Sequence, residues 1–213
     1  MKIPLKIDSP TKLKKIGITF LSLFVLFCLI KLGIFFYFNF IVQYKTDNFK
    51  TLVEFKSDNI YGLYGKQVFI HKAFNSYLNE VDDLAKKYGI VLIVNHSYRT
   101  PNQTLVSTVV PPAKFSNHCA GLAIDFNIIS EGKKYHSYDL KKNKRDKLPQ
   151  NIQNFLRKIQ LHKNLRWGGD FLKEDPVHID FPINTVSKKK WKMYSDDCFV
   201  DYSKKIPKWM FWK

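Results

Sequence analysis

Apolar positions fall along the chain in three regimes. Residues 16–30 run without a charge; after Lys31 the run resumes over 32–42 with Phe35, Phe36, Tyr37, Phe38 and Phe40. A helix over 16–42 would be about 40 Å long at 1.5 Å per residue, longer than a hydrocarbon core of roughly 30 Å. One membrane span fits, with Lys31 snorkelling toward the outer headgroups and the aromatics at or beyond that interface. The second regime is helical. Ala73, Phe74, Tyr77, Leu78, Val81, Leu84, Ala85 and Tyr88 recur at three- and four-residue spacing and Gly89 supplies a stop, which predicts a helix over 72–88. Pro149 can open another over 151–161. The third regime is short apolar runs at 90–94, 122–129 and 177–181, each read as a strand, the second carrying Asp125.

Between these lie segments with little periodicity. Residues 44–65 read as a linker, 106–114 with Pro111 and Pro112 as a loop, and 131–147 as a polar, Lys-rich excursion. Helices and strands interleave without a βαβ rhythm, so the expected class is α+β: a small antiparallel sheet flanked by helices, preceded by one transmembrane helix. The expected division is a basic tail at 1–15, an anchor at 16–42, a juxtamembrane linker at 43–70, a folded domain at 71–185 and a basic aromatic tail at 186–213.

Composition narrows the class. The 213 residues, 25% charged and 15% aromatic, exclude disorder as the main state. Three Cys exclude a disulfide scaffold. Neither a solenoid repeat nor a low-complexity period is present. The net charge is +17; six Lys and one Asp in residues 1–42 account for +5, leaving +12 on the rest. Such a field draws the chain toward nucleic acid, anionic lipid or anionic cell-wall polymer, and charge alone does not choose among them or distinguish them from a solvated Lys-rich surface. Lys2, Lys6, Lys12, Lys14 and Lys15 precede the apolar run, which keeps the N-terminus cytoplasmic and sends the domain to the periplasm or exterior. A cleaved signal peptide would have an apolar region of about 7–15 residues and a small-residue cleavage site; this run is longer and no such site follows, which favours an uncleaved anchor.

Candidate chemistry sits in three stretches. In Ser116-Asn117-His118-Cys119-Ala120-Gly121-Leu122-Ala123-Ile124-Asp125, an imidazole at a loop end and a carboxylate on the next strand can converge on one cation. In Asp175-Pro176-Val177-His178, a carboxylate stands three positions before a histidine set among apolar residues. Ser97-Tyr98-Arg99-Thr100 closes a buried strand. Two His and one Asp form a ligand set that zinc accepts, and three protein ligands leave a position for water, the catalytic rather than the structural pattern. Asp175 is the candidate general base and acid. Arg99 can hold a substrate carboxylate or stabilise an oxyanion. Spacing alone leaves open that these histidines are hydrogen-bonded structural residues.

At these residues the sequence resembles the zinc D-alanyl-D-alanine peptidases and L-alanyl-D-glutamate endopeptidases, which share a metal-site fold with lysostaphin-type enzymes and hedgehog signalling domains. The pattern Ser-x-His-x-x-Gly-x-Ala-x-Asp is met at all five defined positions from Ser116 to Asp125, and Asp-x-x-His follows at Asp175 and His178. Trp167-Gly168-Gly169-Asp170-Phe171 resembles a Trp-Gly-Gly-Asp stretch of the endopeptidase branch. Tyr98-Arg99, with Gln103 four residues on, resembles a Gly-Tyr-Arg-Ser stretch, although His96-Ser97 stands where Ser-Gly is usual. The resemblance implies zinc at His118, Asp125 and His178, Asp175 as catalytic acid/base, Arg99 as polarising or substrate-holding cation and Ser116 as a substrate contact. It implies peptidoglycan stem peptides as substrate, a membrane-bound address and no nucleotide. The Trp-Gly-Gly element and Asp175-Pro176-Val177-His178 favour the endopeptidase branch over a D-Ala-D-Ala carboxypeptidase.

The remaining suspects read as structural. Cys119, on a strand-like backbone beside His118, points away from it and is a small buried residue; Cys28 lies in the anchor, and a Cys119–Cys198 bridge is disfavoured. His71, His96, His136 and His162 lack matched partners. Glu174 is displaced from the three-residue offset that Asp175 meets. Asp170 and Asp180 are candidates for orienting ligands or shaping the turn, and Trp167 for packing near the cleft. Trp209, Phe211 and Trp212 among lysines either pack or touch a membrane; no ordered basic–aromatic motif supports nucleic acid, and the anchor puts the domain in the wrong compartment for it. A zinc-stabilised binding module without turnover is the alternative from another class, and it has no need of Asp175.

Overall fold

The computed structural model describes residues 10–37, 42–103 and 113–212, with side chains from residue 18 onward. Two compact units are present, residues 1–42 and residues 43–213. In the first, α1 (Pro10–Phe36) is a single helix whose part Ile18–Phe36 is long and apolar enough to cross a membrane, a test that a signal sequence also passes. The helix begins earlier than the hydropathy run implies, and residues 38–41 of that expected span lie outside the described residues.

The second unit carries the remaining elements: β1 (Tyr44–Lys45), β2 (Leu52–Phe55), β3 (Ile60–Gly62), β4 (Val68–His71), α2 (Asn75–Lys87), β5 (Val91–His96), β6 (Ala123–Ser130), β7 (Lys133–Tyr135), α3 (Gln150–Gln160), β8 (Arg166–Trp167), β9 (His178–Asp180), α4 (Ile183–Val186), α5 (Lys188–Ser203) and β10 (Ile206–Pro207). Helix α2 forms where the apolar stripe demands it. A 3-10 turn at Lys72–Phe74 precedes it, capped by His71 Nδ1 accepting from the Ala73 N–H at 3.0 Å, and Phe74, Leu78, Val81 and Ala85 are buried. Removing the Leu78 side chain to Ala would cost about 2–5 kcal/mol in transfer and cavity terms. Helix α3 starts after Pro149 and buries Ile152, Phe155, Leu156 and Ile159.

The main sheet has the order β3-β5-β6-β9-β8, with β7 also on β6. The eight-residue β6 is its centre. One edge pairs with β5; the other pairs with β9 at its start and with β7 at its end. The sheet is antiparallel, as expected, apart from the β3–β5 pair, which is parallel. Ile124, Phe126 and Ile128 of β6 share one face of the pleat and are fully buried, while Asp125 and Ile129 on the opposite face are only half-buried.

Two outer segments differ from the sequence reading. Residues 43–70, expected as a linker, contribute β1–β4; residues 186–213, expected as a tail, contribute α5 and β10. Strands β2 and β4 pair as a two-stranded sheet, and β1 pairs with β10 from the far end of the chain. Strands of two to four residues are too short to register an alternation. Helix α5 hides its inward face because that face is mixed: Trp191, Ser195, Cys198 and Asp201 are its buried residues.

Asp201 explains how α5 is fixed. It is 2% exposed, and its Oδ2 accepts from the N–H groups of Lys50, Thr51 and Leu52 and from Thr51 Oγ1 at 2.6–3.0 Å. Burial pushes this carboxyl up, but the donated hydrogen bonds outweigh burial and bring its pKa from 3.8 to about 2. The folded value lies below the unfolded one, so the stabilisation is complete above pH 4 and is lost as pH falls through 2. The shift corresponds to about 2 kcal/mol. Asp201→Asn is therefore expected to lower the unfolding free energy by about 2 kcal/mol at pH 6, with the gap from the unmodified chain narrowing as pH is lowered toward 2; denaturant titration across that range measures it.

Candidate metal centre

Three backbone devices bring distant residues together. A 3-10 turn at Asn117–Ala120 presents His118 and ends at Gly121 with φ +66°, where a Cβ would lie 2.6 Å from the His71 nitrogen. Any side chain there would displace β4 as well as strain the backbone. Strand β6 then carries Asp125. In the β6–β9 register Asp125 is the Cα partner of His178.

The outcome is a tight group. His178 Nδ1 lies 2.8 Å and His118 Nε2 3.1 Å from the same oxygen, Asp125 Oδ1, and the two ring nitrogens are 3.3 Å apart. One donor atom from each of the three residues falls within 4.8 Å of the others. Each imidazole is oriented from behind. His118 Nδ1 lies 2.8 Å from the Ser97 carbonyl; since a carbonyl only accepts, Nδ1 carries the proton and Nε2 turns its lone pair into the group. His178 Nε2 lies 3.3 Å from Asp180 Oδ2. Asp180, 1% exposed, is held by Arg166 through two bonds of 3.0 and 2.6 Å and by Asn117 Nδ2 at 2.8 Å. Imidazoles whose second nitrogen is tied to a carbonyl or carboxylate are the arrangement that metal ligation uses.

Electrostatics point the same way. Burial alone would lower the pKa of His178; Asp125 and Asp180 reverse that and raise it to about 10. Burial pushes Asp125 up, but His118 and His178 hold it well below the usual carboxylate range. Asp180 is brought to about 2 against its burial by His178 and Arg166. The pocket is thus built for positive charge at the point where three lone-pair donors meet. Two nitrogens and one carboxylate oxygen suit zinc, so the residues present fit that ion.

Asp175 flanks the group. Burial and the nearby Asp125 raise its pKa, while His178 and His118 work in the opposite direction. Its turn is clamped: its N–H donates to Gly168 O at 2.8 Å, its carbonyl accepts from the His178 N–H at 2.9 Å, and Trp167 Nε1 donates to Pro176 O at 2.9 Å. A Cβ on Gly168 would collide with the Asp175 carbonyl, so this close approach requires glycine. Arg145 stacks on Trp167 at 4.2 Å and donates to Gly169 O at 2.6 Å. Trp167, Gly168 and Gly169 therefore act by packing, through the turn that holds Asp175. Asp170 ends the 3-10 turn Gly168–Asp170, is exposed and accepts from Gln160 Nε2 at 3.1 Å.

Arg99 and Ser116 are brought together. Arg99 Nη2 donates to Ser116 Oγ at 2.8 Å, and Arg99 N bonds His118 O at 3.3 Å. Ser116 is 9% exposed, and its hydroxyl faces the guanidinium. Cys119 and Cys198 are buried free thiols, without a bridge. Glu174 accepts from the Lys142 N–H, which separates it from Asp175 in direction and role. His71 stacks on Tyr194 and His162 pairs with Glu80, both structural.

Sequence reasoning missed Arg166, Asn117, Arg145 and the Ser97 carbonyl. Arg166 had a signal: Asp180 lies in an apolar strand and needed a cation. His96 was set aside, yet across a bulge in β5 it is the Cα partner of Asp125. The comparisons agree in location. Residues 111–181, about a third of the chain, match the family model described as D-alanyl-D-alanine carboxypeptidase. That stretch contains His118, Asp125, Asp175 and His178. No curated protein matches the chain.

Proposed function

We propose that the chain is a membrane-anchored, zinc-dependent peptidase that hydrolyses an amide in peptidoglycan stem peptides, releasing a C-terminal D-alanine. The observation that carries this reading is the convergence of His118, Asp125 and His178 with Asp175 at their side, inside the segment that matches the carboxypeptidase family model. The apolar helix supports anchoring, and the lysines before it support a cytoplasmic N-terminus with the domain outside.

His118, Asp125 and His178 would hold the ion. When bound, zinc supplies Lewis acidity and lowers the pKa of water toward neutrality. The other roles fall to the chain. Asp175, whose raised pKa suits a group that both takes up and returns a proton, accepts the proton of the attacking water and passes it to the leaving amine. Arg99, steadied by Ser116, holds the substrate carboxylate. Asp180 and the Ser97 carbonyl keep the two imidazoles in one tautomer and orientation.

A second reading, cleavage between L-Ala and D-Glu, is favoured by the Trp167-Gly168-Gly169-Asp170 stretch. In this fold the tryptophan and glycines of that stretch position Asp175, which serves either bond. Mass spectrometry of products from defined muropeptides separates the two: free D-alanine supports the first reading, and a released peptide with a new N-terminal D-glutamate, leaving L-alanine on the muramic acid, supports the second. Zinc-dependent binding without any product would identify a binding module instead.

Asp175→Ala is expected to reduce product release by about three orders of magnitude or more while zinc remains near one per chain; unchanged release removes Asp175 from the chemistry. Removing the ion with a chelator should stop the reaction and added zinc should restore it. Asp180→Ala should weaken zinc binding about 10–100-fold, read by competition with a chromogenic chelator.

A further inference from the structure

The last residues of the chain form a surface that the peptidase reading does not use. Trp209, Phe211 and Trp212 are 38, 85 and 62% exposed. Trp212 meets Trp209 at 5.9 Å and Phe211 at 5.1 Å, so they form one aromatic cluster. Lys204, Lys205, Lys208 and Lys213 are interspersed, and no acidic residue occurs in 202–213; Asp201, just before, is buried, with its Oδ2 on the backbone of 50–52 and its Oδ1 3.6 Å from Lys204 Nζ. An exposed apolar cluster in a stretch of one sign of charge has the composition of an anionic lipid interface: rings at headgroup depth, ammonium groups on phosphates.

The cluster is also tethered. Strand β10 pairs with β1 at Tyr44↔Pro207 and Lys45↔Ile206. Lys208 N donates to Gln43 O at 2.7 Å, Lys208 Nζ to Gln43 Oε1 at 3.0 Å, and Lys45 Nζ to Met210 O at 2.9 Å. The aromatic tail is thereby fixed to residues 43–45. Residue 43 follows Phe36, the end of the apolar helix, by seven residues. By chain length alone that is at most about 25 Å, whatever path the chain takes. Seven residues of chain cannot carry the tail far from the membrane surface.

We infer that the Trp209–Trp212 cluster and its lysines form a second membrane contact, seated in the headgroup region of an anionic bilayer. This rests on the anchoring part of the proposed function, because the short tether is what presents the cluster to lipid.

The test uses the full-length chain reconstituted into vesicles of phosphatidylcholine, with or without phosphatidylglycerol, doped with lipid brominated on the acyl chain as a fluorescence quencher. Trp167 and Trp191 are 3 and 9% exposed inside the domain and report the unquenched background. The expected result is that the unmodified chain loses at least about twice the emission fraction lost by Trp209→Ser/Trp212→Ser, with the larger loss in anionic vesicles. Lys204→Gln/Lys205→Gln/Lys208→Gln should remove the dependence on anionic lipid. Peptidase turnover on a soluble muropeptide should be unchanged in both variants. Equal quenching of the unmodified and Trp-substituted chains, or equal quenching in both lipids, overturns the inference while flotation with the vesicles still upholds the anchor. A chain that does not float overturns both. A dimer in detergent that is lost on Trp substitution assigns the cluster to a second copy and overturns the lipid contact.

Discussion

The antiparallel register between β6 and β9 is the constraint on which the candidate site depends. It sets Asp125 opposite His178 and Ala123 opposite Asp180. A strand has a period of two, so a slip of one residue would point the imidazole to the opposite face and oppose Asp125 with Val177 or Ile179. Apolar burial enforces the register from both sides: Ile124 and Ile179 are partners and both are fully buried. The ordinary requirement to bury two isoleucines thus aligns the charged pair beside them. The electrostatics follow from that alignment, since Asp125 and Asp180, on either side of His178, together reverse the effect of burial on its ring.

Around this pairing the fold places groups that leave the site little freedom. Arg166 neutralises Asp180, so the carboxylate behind His178 is not an isolated buried charge, which would cost several kcal/mol. The turn carrying Asp175 is held by an indole, a glycine carbonyl and, through Arg145, a segment from the Lys-rich excursion. Arg145 reaches both Gly169 and the face of Trp167, so it fixes the motif rather than merely adding charge to it. Preorganisation of this kind matters for the proton transfer proposed for Asp175, because small displacements lengthen the path of the proton.

The elements with a strong period were legible in the sequence. The stripe from Ala73 to Tyr88 became α2, Pro149 preceded α3, and the strand carrying Asp125 became β6. The ligand candidates were legible because His118, Asp125, Asp175 and His178 are chemically conspicuous where apolar residues would suffice for a core. What could not be read was long-range. Arg166 is an ordinary surface-type residue until Asp180 is seen beside it, and the Ser97 carbonyl has no sequence signature at all. The short strands β1 to β4 and the mixed inner face of α5 lack a period because their burial comes from partners more than a hundred residues away in some cases, as with Lys50–Leu52 and Asp201. The loop expected at 106–114 lies mostly outside the described residues.

Those outer segments are part of the site's support. Ser97, whose carbonyl orients His118, is held by β4: its hydroxyl accepts from Phe69 N at 3.1 Å, and Tyr98 N donates to Phe69 O at 2.9 Å. Strand β4 is in turn half of a pair with β2, and β2 begins at the backbone that Asp201 of α5 secures. The turn bearing His118 is braced twice more, by His71 N on Gly121 O at 2.8 Å and by Cys198 Sγ on Ala120 O at 3.6 Å. A boundary drawn at residues 71 and 185 would remove β2, most of β4 and all of α5. It would remove Phe69, which holds Ser97, and Cys198, which braces the turn bearing His118. The compact unit that carries the candidate site is residues 43–213, and the segments that look like connectors in the sequence help to fix His118 in place.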